Sequence, residues 1–331
     1  YDRNSENYLS DSGAVYVWQQ SGNSWVYSDK LVSSSRETNE LFGSSISGTT
    51  GTIVIGAMGS TLDSQGTNKL TGAGAVYIFQ ENNGVWSFSQ KITSSLRASG
   101  DNFGTTVSMN GTSLMIGSPN TSSVSGTTTL SSTGVVEFYE YNGSWKFMSR
   151  VSPNNLSAND KFGISVSLNS GIAVVGSPTH SLDSDDLHPL TNSGAAWIYQ
   201  QNSDKTWSLM EKISGWGQDR NVNDMMGYSI AGDGDTIVVG VPNHSYDVQG
   251  RNYLANSGAA LVFIWYNGGW FFQQKLIAGT NRNANDNFGF AVDISQDNIV
   301  VGAPQSGQYG RSYVFNRSYG VWSQAQEINY I

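Results

Sequence analysis

Six tryptophans recur along this 331-residue chain at nearly constant spacing: Trp25, Trp86, Trp145, Trp207, Trp270 and Trp322. The steps are 61, 59, 62, 63 and 52 residues. Turn-prone runs such as Asn82-Asn83-Gly84 and Asn267-Gly268-Gly269 come just before them. After four of them stands a basic-aliphatic pair, Lys30-Leu31, Lys91-Ile92, Lys212-Ile213 or Lys275-Leu276, and the other two carry Arg150-Val151 and Glu327-Ile328. A fixed period of this length means stacked copies of one small unit, each too small to bury its apolar face alone.

The unit reads as four short strands. In the copy starting at Phe103 they are Phe103–Ser108, Ser113–Gly117, Gly134–Tyr139 and Trp145–Val151, all rich in β-branched and aromatic residues and bounded by Gly, Pro or Asn. No segment sustains a helical period, so the chain is predicted to be nearly all β. A four-stranded antiparallel unit of this size suits a blade of a β-propeller, in which radial repetition protects strand edges. A parallel β-helix has much shorter coils. Full copies begin at Phe42, Phe103, Phe162, Met226 and Phe288, after an N-terminal half blade. The predicted organisation is one domain over 1–331: half blade 1–41, then blades 42–102, 103–161, 162–225, 226–287 and 288–331, closing as six or seven blades.

The pairs Phe288-Gly289 with Gly302-Ala303-Pro304, Phe162-Gly163 with Val175-Gly176-Ser177-Pro178, and their equivalents in the other copies resemble the FG-GAP repeats of integrin α-subunit propellers and related surface proteins. The resemblance covers essentially the whole chain. It implies that the FG strand is the innermost of its blade and the Trp strand the outermost, and it suggests calcium as cofactor, held in the loop between the first two strands. Here those loops depart from the acidic pattern. Only Gly232-Asp233-Gly234-Asp235 keeps two carboxylates, which makes Asp233 and Asp235 the place for a weak calcium site.

A carboxylate precedes each copy by two residues: Glu40, Asp101, Asp160, Asp224 and Asp286. The expected role is a cap on the blade-to-blade turn rather than a ring of ligands. The acids Asp63, Asp183 and Asp247 lie 11 residues before the glycines Gly74, Gly194 and Gly258, as Asp2 does before Gly13. They order long loops or, with Tyr246 and Tyr253, form a polar binding rim. By this register Tyr1 matches Tyr246, and the half blade lacks an FG…GAP hairpin. The same chain, continuing past Tyr1 or Ile331, is expected to supply it in preference to a strand donated by a neighbour.

Composition narrows the setting. Only 13% of residues are charged, net charge is −9 and no basic cluster occurs, which argues against nucleic acid or anionic lipid as partner. Cysteine is absent, so no thiol nucleophile or disulfide framework is available. The three histidines, His180, His188 and His244, lie in loops, with no nucleophile-elbow motif. Six Asn-X-Ser/Thr sequons, at Asn110, Asn120, Asn142, Asn155, Asn243 and Asn316, all fall in expected turns and suggest N-linked glycans. Together these features point to a non-enzymatic module of a cell-surface, matrix or appendage assembly that is extracellular, binds other protein chains and inserts in no membrane. A glycan-binding lectin is the alternative, and a secreted enzyme a more distant one.

Overall fold

Alternating apolar residues closed by Asn-Gly and Gly turns build hairpin after hairpin in the computed structural model, which describes residues 2, 4, 6–215 and 219–329. Two compact units divide at residue 151, Tyr1–Val151 and Ser152–Ile331. Tyr1, matched above to Tyr246, and Ile331 lie outside the described residues.

In the first unit, β1 (Val15–Ser21) pairs with β2 (Ser24–Leu31) as a two-stranded sheet, the half blade. The next blade runs β3 (Phe42–Thr49), β4 (Thr52–Ala57), β5 (Ala75–Asn82), β6 (Val85–Ile92), in that order across the sheet. Then come β7 (Thr106–Asn110) and β8 (Ser113–Ser118). A small loop hairpin that sequence reading missed follows, β9 (Ser123–Ser125) and β10 (Thr128–Leu130). β11 (Val135–Tyr141) and β12 (Trp145–Val151) complete this blade.

The second unit holds three blades of the same order: β13 (Ser165–Asn169) to β14 (Ile172–Ser177), β15 (Ala195–Gln201) and β16 (Trp207–Ile213); β17 (Ile230–Asp233) to β18 (Thr236–Val241), β19 (Ala259–Tyr266) and β20 (Gly269–Leu276); and β21 (Ala291–Ser295) to β22 (Asn298–Ala303), β23 (Arg311–Ser318) and β24 (Val321–Asn329). The fold class is therefore all-β, a β-propeller built of four-stranded antiparallel blades, with a short 3₁₀ turn at Gly279–Asn281.

Every third-to-fourth strand hairpin carries a register shift at the same place: Val17/Trp18, Ile78/Phe79, Phe138/Tyr139, Ile198/Tyr199, Val262/Phe263 and Val314/Phe315. A bulge bends and twists its strand, so the six units share a built-in curvature as well as a sequence pattern.

One expectation needs correction. The first strand was predicted to start at Phe103, but β7 begins at Thr106. Phe103 pairs instead, in parallel, with Gly74 of the preceding blade, and Gly104 adopts φ +85°. The Phe-Gly pair is thus a joint between blades. Equivalent parallel bridges join Gly13 to Phe42, Gly194 to Met226 and Gly258 to Phe288. Glycine is required there, because a Cβ on Gly74 would lie 2.1 Å from the Phe103 carbonyl oxygen.

The phenylalanines of the FG pairs and the recurrent tryptophans join the Val, Ile, Leu and Ala side chains of the strands in the core. Phe42, Phe103, Phe162 and Phe288 are buried, as are Trp86, Trp145, Trp207, Trp270 and Trp322, while Trp25 of the half blade is 67% exposed. The backbone of three of these buried tryptophans is gripped by the preceding blade. Gln90 bonds both the N–H and the carbonyl of Trp145 at 2.9 Å, and Gln274 bonds those of Trp322 at 2.9 and 2.7 Å. Glu211 accepts from the Trp270 N–H at 3.2 Å.

Candidate functional site

In two blades the lysine of a Lys-aliphatic pair and the acid before the FG pair, 52 and 51 residues apart in sequence, meet through a histidine. In the 162–213 blade, His180 Nδ1 lies 2.7 Å from Asp160 Oδ2, and Lys212 Nζ lies 2.9 Å from His180 Nε2 and 2.5 Å from Asp186 Oδ1. In the 226–276 blade, His244 Nδ1 lies 3.1 Å from Asp224 Oδ2, with Lys275 Nζ 3.3 Å from His244 Nε2 and 2.5 Å from Asp219 Oδ1. With the acid at Nδ1 and the lysine at Nε2, each imidazole bridges acid and base. Both histidines are 1% exposed.

The first unit builds the same junction from other residues. Ser33 and Tyr77 hydroxyls donate to Glu40 at 2.5 and 2.6 Å, and Lys91 lies 5.0 Å from the Tyr77 ring centroid. In the next blade Arg150 pairs with Glu137, which also accepts from Ser94 at 2.7 Å and from Tyr139 at 2.6 Å. Burial raises the Glu40 and Asp101 carboxyls and lowers the Lys91 and Lys212 ammonium groups from their ordinary values. Each acid before an FG pair also accepts a backbone N–H from three residues upstream: Glu37 to Glu40, Ala98 to Asp101, Ser157 to Asp160, Asn221 to Asp224 and Asn283 to Asp286. They are turn caps tied into internal ion-pair networks.

The rim acids behave alike among themselves. Asp63 accepts from the N–H groups of Gln65 and Thr67 and from Asn68; Asp183 from those of Asp185 and Leu187 and from His188; Asp247 from those of Gln249 and Arg251 and from Asn252. Asp2 does the same for Glu6 and Asn7. Each carboxylate closes an Asx-type turn, and those N–H bonds, from Thr67, Leu187 and Arg251 foremost, hold Asp63 and Asp183 well below the usual carboxylate range and lower Asp247 from its ordinary value. Tyr246 and Tyr253 meet edge to face 5.4 Å apart on the Asp247 loop.

Sequence reading missed the partner that locks these loops. Arg36, Arg97, Arg220 and Arg282 each donate to loop oxygens: Arg36 to the Asn7 carbonyl at 3.0 Å, Arg97 to those of Asn68 at 2.8 Å and Thr61 at 2.6 Å, Arg220 to that of Ser181 at 2.7 Å, and Arg282 to those of Asn252 at 2.8 Å and Ser245 at 2.5 Å. All four stand four residues before a turn-capping acid, where the 103–161 repeat supplies Leu156, and that spacing was a readable signal.

The candidate calcium loop is differently furnished. Asp235 faces Arg317 at 3.3 Å, and Arg317 Nε reaches Asp297 at 2.7 Å. Asp233 accepts from Asn169 at 3.1 Å and from the Gln296 N–H at 2.7 Å. Burial alone would raise Asp235, yet the Thr236 hydroxyl and Arg317 bring it below its ordinary value. A guanidinium sits where a cation would be shared, and no cluster of three or more acidic or histidine ligands occurs among the described residues. These residues do not fit a calcium cage, which needs six or more oxygens around one point.

The sequons divide. Asn110 and Asn142 are exposed at hairpin ends, whereas Asn120, Asn155 and Asn243 are half-buried with their amide nitrogens donating to Asn102, Asp186 and Met225. Asn316, expected in a turn, lies within β23 and donates to Asn298 at 2.5 Å. It was misplaced because Phe315-Asn316-Arg317 has the polar look of a turn but pairs opposite Ser323 across the last hairpin.

With this geometry the FG-GAP repeat profile can be placed. It matches residues 25–79, 86–129, 145–199 and 270–315, more than half of the sequence, and every match opens on a Trp strand or on the Trp itself. The chain belongs to the FG-GAP repeat family. In this FG-GAP chain the unmatched stretch 200–269 contains the one copy whose pair is Met226-Gly227 in place of Phe-Gly. No curated protein matches the sequence. No helix among the described residues is long and apolar enough to cross a membrane.

Proposed function

We propose that this FG-GAP propeller is a non-enzymatic, extracellular, N-glycosylated interaction module whose working surface is the set of long loops between the second and third strands. One observation carries the reading: these loops are tied down by hydrogen bonds yet present apolar side chains to solvent. The Asx turns of Asp183 and Asp247, with Arg220 and Arg282 behind them, fix the backbone while Leu187, Val248 and Tyr253 remain exposed. Pre-ordered loops bearing exposed aromatic and aliphatic groups bind with little loss of chain entropy, which is the economy of a protein-recognition surface. The buried histidines, acids and lysines are engaged with one another, a structural use that matches a scaffold.

The test is secretion from a glycosylating eukaryotic host, followed by binding of the purified protein to immobilised matrix and cell-surface proteins. The expected result is saturable binding that falls at least tenfold in Leu187→Ser/Tyr253→Ser with melting temperature unchanged. Binding confined to a glycan array would give the lectin reading instead, and turnover lost in His180→Ala would give an enzyme.

A further inference from the structure

The grip on the buried tryptophans is built from an amide at two joints and from a carboxylate at a third. Gln90 and Gln274 each accept from the N–H and donate to the carbonyl of the following blade's tryptophan, which uses both halves of the amide. Between the 162–213 and 226–276 blades, both inside the second unit, Glu211 takes that place, four residues after Trp207 as Gln90 is after Trp86. It accepts from the Trp270 N–H at 3.2 Å, but an ionised carboxylate has no proton to give. The Trp270 carbonyl therefore lacks the amide donor that Trp145 and Trp322 receive. Trp270 stands opposite Trp265, one step beyond the Tyr266–Gly269 pair that closes the hairpin, so its N–H and carbonyl face away from its own hairpin. Among the described residues Glu211 has no ion pair, and Lys212 beside it is already engaged with Asp186 and His180. An acid in place of an amide here gives up a donor and half-buries an unpaired charge, a local conflict of the kind that marks a binding site.

A cleft opens at that point. It holds about 240 Å³ between the two blades, and Phe263, Trp270, Phe271 and Phe272 line it beside Glu211 and Lys212. Phe263 and Phe272 meet edge to face at 6.0 Å, and Phe271 is 54% exposed. The polar groups that Glu211 and Trp270 bring are both acceptors, and aromatic faces stand beside them. Such a set attracts a cation that carries its own N–H donors. An ammonium suits it better than a guanidinium, because a guanidinium fork pairs with both oxygens of a carboxylate and the Trp270 N–H already occupies one of them. The volume falls below the roughly 300–1,000 Å³ of small-molecule pockets and suits one extended side chain.

We propose that the cleft between β16 and β20 takes the side chain of a lysine from a partner polypeptide. The ammonium sits between the free Glu211 oxygen and the Trp270 carbonyl, and the methylene stem lies against Phe271 and Phe272. The inference rests on the interaction-module reading and names a group that the partner brings.

The probe is Nα-acetyl-lysine N-methylamide, titrated at constant ionic strength into the full chain labelled with ¹⁵N-tryptophan. The Trp270 backbone amide, assigned by its absence in Trp270→Phe, donates to Glu211 and reports directly. A saturable shift of that resonance is expected with Kd of about 10 mM or tighter. The norleucine analogue, which keeps the stem and lacks the charge, should give none. Glu211→Gln should regain the full amide grip, raise the melting temperature and weaken binding at least tenfold, a loss that unfolding would not explain. Phe271→Ala, at an exposed position, should weaken binding severalfold. Absence of a saturable shift in the wild-type chain overturns the proposal. So does equal binding to Glu211→Gln, or a melting temperature that does not rise in that variant. Tighter binding of the arginine analogue or of free n-butylammonium also overturns it, by assigning the cleft to a guanidinium or to a free amine. These variants leave Leu187 and Tyr253 in place, so failure here is distinguishable from failure of the loop surface, which the matrix-binding experiment tests.

Discussion

The carbonyl oxygen of Gly289 lies 2.1 Å from the point where a side chain on Gly240 would begin. The two residues are 49 positions apart, and their approach is the joint between two blades. Gly240 is not left-handed, so its need for glycine is one of space and not of φ. Gly240→Ala is therefore expected to force the blades apart and destabilise by about 1–3 kcal/mol. Gly302→Ala, at the same place in the last blade, should stay within about 0.5 kcal/mol. Urea unfolding of both variants checks the contrast, and equal losses would show that the joint does not set the requirement.

The tryptophan grip gives a graded pair. Gln274→Ala removes two hydrogen bonds to the Trp322 backbone and should destabilise by about 1–3 kcal/mol, since each such bond contributes about 0.5–1.5 kcal/mol net. Trp322→Ala also empties a buried site and should lose about 3–5 kcal/mol. Denaturant midpoints of the two single variants test the ranking. A Gln274→Ala loss as large as that of Trp322→Ala would contradict it.

The repeat was legible because it rests on period-two strands, Gly-Asn turns and tryptophans at fixed spacing, all local signals. The turn-capping role of Asp101 or Asp224 was legible too, since an acid before a turn has local donors. What stayed hidden depends on partners distant in sequence. Arg282 reaches Ser245 across 37 residues, and Arg317 reaches Asp235 across 82. The second pairing is why a loop with two carboxylates read as a weak calcium site and folds as an ion-pair junction. Phe103 looked like the start of a strand because its apolar character cannot reveal that its partner is the previous blade.

Acid sensitivity should come from the loop turns. Hydrogen bonding to N–H groups lowers the Asp63, Asp183 and Asp247 carboxyls below the ordinary 3.8, so their contribution is present above that pH and lost as pH falls below it. Glu40 has the opposite sign: burial raises it, so its contribution is lost as pH rises from its ordinary 4.5 through the folded value. Melting temperatures against pH should fall steeply below about pH 4. In Asp183→Asn the acid limb should be shallower, and an unchanged limb would remove this residue from the account.

Glycan occupancy should follow exposure of the acceptor amide. Asn142, exposed at a hairpin end, is expected to be modified in a secreted preparation, with Asn110 next. Asn120 and Asn243 are expected to stay bare, because their amide nitrogens are already engaged with Asn102 and Met225 inside the fold. Peptide mapping after glycosidase treatment in heavy-oxygen water reads each site. Full occupancy at Asn243 would show that the junction opens during synthesis.

Arg317 stands among the acids of the loop that the sequence offers for calcium. Its guanidinium bridges Asp235 of one blade and Asp297 of the next, at 3.3 and 2.7 Å, and the Asp297 bond foremost holds it above its ordinary pKa. Arg317→Ala leaves Asp233, Asp235 and Asp297 without that counter-charge. A partly exposed network of this kind contributes modestly, so a loss of about 1 kcal/mol is expected in low salt, shrinking as salt screens the acids. Millimolar calcium should then raise the melting temperature of Arg317→Ala and leave the wild-type chain unmoved, since only the variant offers uncompensated carboxylate oxygens to a hard cation. If calcium stabilises both proteins equally, the guanidinium is not standing in for a metal ion, and the acids of this loop bind one beside it.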